Sequence, residues 1–363
     1  MKKSQISRRQ FLVGGAATLV GVFALGGCSS TDGPSTGGSP TGGSSTGGGV
    51  EGGKIVFVWE PNESTATYEG MRNEFAACIE KGGGLECEIM TTTDYNVTIE
   101  SLISGKAHMA SLGASEYIEA HAKNPAVNIA FVLSNDEGKL DEVSYRSQIC
   151  VRTEDVEQYK SGASYSLENI KGKNFSFVNL NSTSGFVVPS TVIKNTFGLA
   201  STDEVSESGS FFDTVLFPGS HPGSLYNLLS KEADAAVFAD YLVAPFVELV
   251  SGEAGTAGAV YQVKEGVDTP LDTLGGAQFT IIESLPVPAV PICINTDAVP
   301  EDVREAIIDY MCSEEVANNP KIFPAPDDTE TVSNWSKATS KVCFVRADDN
   351  YYDPFREMIG FEH

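Results

Sequence analysis

Residues 174–185 read Asn-Phe-Ser-Phe-Val-Asn-Leu-Asn-Ser-Thr-Ser-Gly. An apolar strand, residues 174–180, runs here into a turn with three successive hydroxyls, Ser182, Thr183 and Ser184, closed by Gly185. A helix follows to about Phe197, with Gly198 as its stop. Ser and Thr are good N-caps. At such a junction the first helical N–H groups lack intrahelical partners and carry the positive end of the helix dipole. Hydroxyls and amides then donate together, and a tetrahedral oxyanion is held without Lys or Arg. Gly185 lets the backbone come close. The same residues serve equally well as an ordinary helix cap with spare hydroxyls, so this stretch fixes the local fold before it fixes a ligand.

The strand–turn–helix pattern continues on both sides. Lys54 to Trp59 is an apolar strand. The helix from Ser64 carries Tyr68, Met71, Phe75, Cys78 and Ile79 at helical spacing and ends at Gly82-Gly83-Gly84. Strands are expected at 86–90, 108–112, 127–133, 146–152, 235–239 and 290–295. Helices are expected at 97–104, 115–123, 225–230 and 302–311. Repeated βα units predict an α/β fold with mainly parallel sheets. The body from Lys54 is about 310 residues, too long for one small core and suited to two lobes.

The N-terminus reads as a segment the mature fold does not contain. Residues 1–27 hold Lys2, Lys3, Arg8 and Arg9, no acids, and an apolar run too short and glycine-rich for a membrane span. Ser7-Arg8-Arg9-Gln10-Phe11-Leu12 resembles a twin-arginine export signal. Leu25-Gly26-Gly27-Cys28 resembles a bacterial lipobox, which makes Cys28 the lipidated N-terminal residue. The alternative is an uncleaved anchor. Either places the protein outside the cytoplasmic membrane. Residues 29–53, almost purely Gly, Ser, Thr and Pro, form a tether with a reach of roughly 25–30 Å.

From Cys28 onward 20 Lys and Arg face 49 Asp and Glu, a net charge of −29. That excludes a nucleic-acid partner, which needs basic surface against phosphates. An anion must therefore be won locally, by amides and hydroxyls. Six cysteines follow Cys28: Cys78, Cys87, Cys150, Cys293, Cys312 and Cys343. In an exported chain they permit disulfides, Cys78–Cys87 and Cys312–Cys343 among them, or stand as buried thiols. No pair has CxxC spacing and only four His exist, so no structural zinc site is expected.

The run Asn181-Ser182-Thr183-Ser184-Gly185-Phe186-Val187-Val188-Pro189 resembles the signature of the phosphonate-, phosphite- and phosphate-binding proteins of ABC importers. Thr93-Asp94-Tyr95 resembles the family's strand-end tyrosine, Gly219-Ser220-His221 its Gly-x-His turn, and Ser166 to Lys173 the segment opening its second lobe. Residues 231–237, Lys-Glu-Ala-Asp-Ala-Ala-Val, resemble its Asp-bearing helix-to-strand turn. The likeness runs from residue 54 to about 325. It implies the type II periplasmic binding protein fold, two α/β lobes joined by two hinge strands. Lobe one would be 54–150 plus 280–363 and lobe two 151–279, with Cys150 and Cys293 on adjacent crossover strands. It further implies an oxyanion held by Ser182, Thr183, Ser184, Tyr95 and His221, no cofactor or metal, a monomer, and an ABC permease and ATPase as partners.

Departures bear on the ligand. The family's Tyr-Gly at one strand end is Leu112-Gly113 here, so one phenol donor is missing. The carboxylates that meet an aminoalkylphosphonate's ammonium fall at Tyr241 and Val290. Asp240 is the adjacent acid that could substitute. Weak binding of aminoalkylphosphonates is therefore expected, since a buried ammonium without a carboxylate is costly. A sulfonate or carboxylate ligand and a sensor role are the alternatives within this fold. An enzyme using Ser182 or Ser184 with His221 is the alternative outside it; no Gly-x-Ser-x-Gly elbow supports that.

Overall fold

The computed structural model describes residues 50–61, 65–141, 145–328, 330–335 and 339–361. The export segment, Cys28 and the tether up to residue 49 lie outside these residues. Among the described residues no helix is long and apolar enough to cross a membrane.

The chain first lays down β1 (Lys54–Trp59), β2 (Glu86–Thr91), β3 (Met109–Ser111) and β4 (Val127–Leu133). It then builds a second sheet from β5 (Tyr145–Arg152), β6 (Asn174–Ser176), β7 (Thr214–Leu216), β8 (Ala235–Ala239), β9 (Val247–Ser251), β10 (Val260–Val263) and β11 (Gln278–Val287). Last, β12 (Ile292–Asn295) and β13 (Phe344–Val345) return to the first sheet. The strand orders are β13-β4-β12-β3-β1-β2 and β9-β10-β11-β5-β8-β6-β7. The backbone thus crosses between sheets twice, between Leu133 and Tyr145 and between Val287 and Ile292, which gives a two-lobed α/β architecture.

Parallel pairing is confined to β2-β1-β3 and β8-β6-β7; the remaining neighbours are antiparallel, so both sheets are mixed. The sequence expectation of mainly parallel sheets missed this because the returning strands carry no helix between them. The strand β11, absent from that reading, pairs antiparallel with β5 along almost its whole length, Ile281 opposite Cys150 and Leu285 opposite Ser147. The boundaries expected at 150/151 and 279/280 fall inside these two paired strands. Cys293 lies instead in the first sheet, opposite Ala110 and Ile129. Cys150 and Cys293 are therefore not neighbours, and all six described cysteines are free thiols.

Helices cover the sheets: α1 (Thr65–Gly83), α2 (Tyr95–Ile103), α3 (Ala114–Lys123), α4 (Val188–Phe197), α5 (His221–Leu229) and α6 (Glu301–Met311). One core cluster, built on Phe57, Trp59, Phe75, Phe131 and Phe344, fills the α1 and α6 side of the first sheet. Its ring pairs, such as Phe75 on Trp335 at 5.2 Å, add about 0.5–1.5 kcal/mol each beyond burial. A second cluster covers the α5 side of the second sheet through Leu225, Phe238 and Phe279. A third runs continuously from Leu112 and Tyr117 in the first lobe to Ile149, Phe177 and Phe186 in the second. That continuity holds the N-termini of α3 and α4 on facing walls.

Candidate functional site

The hydroxyl cluster begins where β6 has already ended. The strand stops at Ser176, short of the expected Leu180, and a π-helical turn, Thr183–Val187, opens before α4. Ser182 caps that turn by accepting the Gly185 N–H at 3.1 Å, which leaves its own O–H available to donate. Gly185 is required by packing. A Cβ there would stand 2.6 Å from Val178 Cγ2 and 2.8 Å from Ser182 Oγ. The turn can therefore close only with a glycine.

Ser182, Thr183 and Ser184 are all buried, and they line a partly open cavity of about 10 Å³ with Glu60, Tyr95, Gly113, Glu116, Tyr145, His221, Tyr241, Leu242 and Val290. That is room for about one water molecule, far below sites for drug-sized ligands, about 300–1,000 Å³, so the occupant is small and the lobes must part to admit it. No Lys or Arg lines the cavity. Of the residues expected at the site, Ser182, Thr183, Ser184, Tyr95 and His221 are brought together. Asp240 is not among the lining residues. It accepts the N–H groups of Arg146 (3.2 Å) and Tyr241 (2.8 Å) and lines a neighbouring depression of about 360 Å³, which Tyr241 also lines.

Each donor has a physical reason to be where it is. Tyr95 is the first residue of α2, capped by Asp94, and not a strand-end residue as the motif implied. Its phenol is buried beside Ser182 with no hydrogen-bond partner, and burial raises its pKa further above the usual tyrosine value. A buried orphan hydroxyl is costly, and this one lines the cavity. His221 opens α5, where Ser220 caps by accepting the Gly223 N–H. Its Nδ1 accepts the Ala239 N–H at 2.9 Å, so the ring proton sits on Nε2. Burial depresses its pKa to about 3, and the ring is a neutral donor at working pH. Tyr145, at the start of β5, lies against the Ser184 side chain. It adds a second phenol to the cavity lining.

Two acids in the lining were not identified from the sequence, Glu60 and Glu116, both buried. Glu116 sits in the first turn of α3. Its Oε2 accepts the Thr183 hydroxyl at 2.6 Å and the Ser115 hydroxyl at 3.0 Å. Thr183 Oγ1 in turn accepts the Ser115 N–H at 2.9 Å. The Thr183 hydroxyl thus faces Glu116, and its side chain joins the lobes. Burial raises the Glu116 carboxyl to about 7. With two glutamates in the cavity wall, the premise behind weak aminoalkylphosphonate binding, a site without carboxylates, does not hold.

The family model for the periplasmic substrate-binding protein of phosphonate ABC transporters matches residues 57–352. The phosphate-import protein PhnD of Mycolicibacterium smegmatis is 27% identical over 188 residues, 50% of this chain and 54% of that protein. The chain thus spans about half the length of the curated relative it matches. PhnD1 from Prochlorococcus marinus, solved in complex with methylphosphonate, aligns with a TM-score of 0.61 at 14% identity, over 84% of this chain and 97% of that one. A binding protein component of an ABC phosphonate transporter from Pseudomonas aeruginosa gives 0.58 at 17%, over 84% of each. At these identities the solved structures establish the fold, a two-lobed periplasmic binding protein.

Proposed function

We infer that this chain, which belongs to the family of periplasmic substrate-binding proteins of phosphonate ABC transporters, captures a phosphorus oxyanion in the cavity between its lobes and hands it to a membrane permease. The ligand is a phosphonate, phosphite or phosphate. The observation that carries this reading is the convergence of the Tyr95 phenol, the Ser182 hydroxyl and the neutral His221 ring on one small cavity. These donors, with the amides of the π-helical turn, bind an anion without a cation. Ligand contact with both lobes favours closure by hinge motion. Cys28 carries the lipid that holds the protein at the outer face of the membrane, and the chain acts as a monomer.

A second reading, an aminoalkylphosphonate, is favoured by Glu60 and Glu116 in the lining. Titration calorimetry on the purified full-length chain, unfolded and refolded to strip ligand, separates these. The panel is phosphite, phosphate, methylphosphonate, 2-aminoethylphosphonate, sulfate and methanesulfonate. Tight binding of one phosphorus oxyanion, lost in Ser182→Ala, is expected. Preference for sulfate or methanesulfonate, or silence across the panel, would sink the assignment.

A further inference from the structure

The periplasmic binding proteins of this family work outside the cytoplasmic membrane, where disulfides form and persist, yet the six described cysteines are free thiols. Four of them are buried and apart. Cys150 and Cys293 are enclosed in different sheets. Cys78 lies under Asn319, whose amide donates to its sulfur at 3.8 Å, and Cys87 is buried in β2. Cys312 and Cys343 differ, because both are half-buried and the fold runs their segments together. Cys312 follows the last residue of α6, with its N–H on the Ile308 and Tyr310 carbonyls. Cys343 leads into β13 and is clamped by Ser134, whose N–H donates to its carbonyl at 2.9 Å and whose hydroxyl accepts its N–H at 3.0 Å. Three residues on, Arg346 reaches α6 and pairs with Asp309 at 2.6 Å and Glu305 at 2.9 Å. Asp309 stands one turn before Cys312 on the same helix face. The ionisable groups around the Cys312 sulfur are accordingly Arg346, Cys343 and Asp309. None of the four buried cysteines has a second thiol among such neighbours.

We propose that Cys312 and Cys343 become an intramolecular disulfide in the working protein, a covalent staple between the end of α6 and the last strand of the first sheet. Oxidation joins the two sulfurs and releases two protons and two electrons. The electrons pass to a thiol–disulfide oxidase or to a small disulfide such as oxidised glutathione. The fold shows what the staple does. The intervening chain, 313–342, carries Phe323 and Trp335 into the aromatic core of the first lobe. Its return is anchored by a strand of two residues, Phe344 opposite Leu133 and Val345 opposite Val132. The Arg346 ion pairs beside it lie at the surface, where such pairs add little stability. A bridge from Cys312 to Cys343 closes a loop of about 30 residues and removes that freedom from the unfolded chain. Burial pushes the Cys312 thiol up to about 12. It is therefore protonated near neutrality, which suits a structural bridge and not a nucleophile or a metal ligand.

The test uses the full-length chain, expressed in a bacterial host that exports it and purified without reductant. Free thiols are blocked with iodoacetamide in denaturant, and the unreduced protein is digested for mass spectrometry. The expected result is one cross-linked peptide pair that holds Cys312 and Cys343 and is lighter by two hydrogens than its parts. Cys78, Cys87, Cys150 and Cys293 should all carry the alkyl label. Dithiothreitol should lower the melting temperature by about 5 °C. Cys312→Ser and Cys343→Ser should each melt at the lowered value with and without reductant. If a serine variant does not fold, the wild-type peptide map and its response to reductant still decide. Both thiols alkylated, even after equilibration with oxidised glutathione, would overturn the proposal. So would a bridge from either one to another cysteine, a disulfide-linked dimer, or a bridge whose reduction leaves the melting temperature unchanged.

Discussion

Gly113→Ala should open the protein without unfolding it. Gly113 precedes α3 with an ordinary φ of −70°, so alanine meets no backbone strain. Its methyl, however, would overlap the Glu116 carboxylate and press on Thr183 Oγ1 from 2.5 Å. Relief means displacing the Glu116 carboxyl and the Thr183 hydroxyl, by side-chain rotation or by moving α3 from the π-helical turn. That breaks the Thr183–Glu116 bond (2.6 Å) and the Ser115–Thr183 bond (2.9 Å), which link the two lobes. One neutral bond is worth about 0.5–1.5 kcal/mol and one to a charged group about 1.5–3 kcal/mol. The closed form should therefore lose about 2–4 kcal/mol relative to the open one. At about 1.4 kcal/mol per factor of ten, ligand affinity falls roughly 30- to 700-fold. Each lobe keeps its own core, so far-UV circular dichroism should be unchanged. Small-angle scattering should show a larger radius of gyration in the variant, and calorimetry with phosphite or methylphosphonate should show the weaker binding. Wild-type affinity together with a wild-type radius would refute the interlobe contact as the element that closes the cleft.

Other substitutions separate stability from binding. Tyr95→Phe removes a buried hydroxyl that has no partner, so the melting temperature should hold or rise, while affinity drops by roughly tenfold or more in calorimetry. A lowered melting temperature would mean the phenol is already satisfied. His221→Ala deletes both the acceptor for Ala239 N–H and the Nε2–H donor, and should lose binding and about 1–3 kcal/mol of stability in urea melts. In the wild type, affinity should show no histidine titration between pH 5 and 8, because the ring is neutral throughout. Glu116 sets the pH dependence of stability. Its folded pKa of about 7 stands above the ordinary 4.5, so the unfolded chain releases this proton first. Stability should fall as pH rises from about 4.5 to 7, by up to about 3 kcal/mol, and stay low above that. Glu116→Gln should flatten that slope in denaturant melts; an unchanged slope would place the titration elsewhere.

The sequence carried the local structure further than the long-range structure. Strand and helix periodicity located β1, α1, β4, β8, α4 and α6 within a residue or two, because each is bounded by glycines, caps or abrupt polarity changes. The strand β11 escaped because its partner β5 lies more than 120 residues upstream, and pairing at that separation leaves no local mark. Missing it misplaced both crossovers and put Cys293 beside Cys150. That Ser182, Tyr95 and His221 line one cavity was legible through motif resemblance. Thr183 shares that cavity, but its hydrogen bond to an acid 67 positions earlier leaves no local mark. Asp240 was drawn in by adjacency to Tyr241, yet both line the larger depression and only Tyr241 also reaches the small cavity. Glu60 and Glu116 carried no signal in composition or spacing. An acid in the first turn of a helix is a favourable cap wherever it occurs, and only the third dimension separates a cap from a cavity wall.

The most direct test of the central claim is a crystal structure of the stripped, full-length protein grown with methylphosphonate. The account predicts the phosphorus atom in the small cavity between the lobes. Its oxygens should lie within hydrogen-bond distance of the Tyr95 phenol, the Ser182 hydroxyl, His221 Nε2 and the Glu116 carboxyl. Methylphosphonate bound elsewhere, or a cavity that stays closed around Glu116 while the ligand occupies the depression beside Asp240, would contradict it.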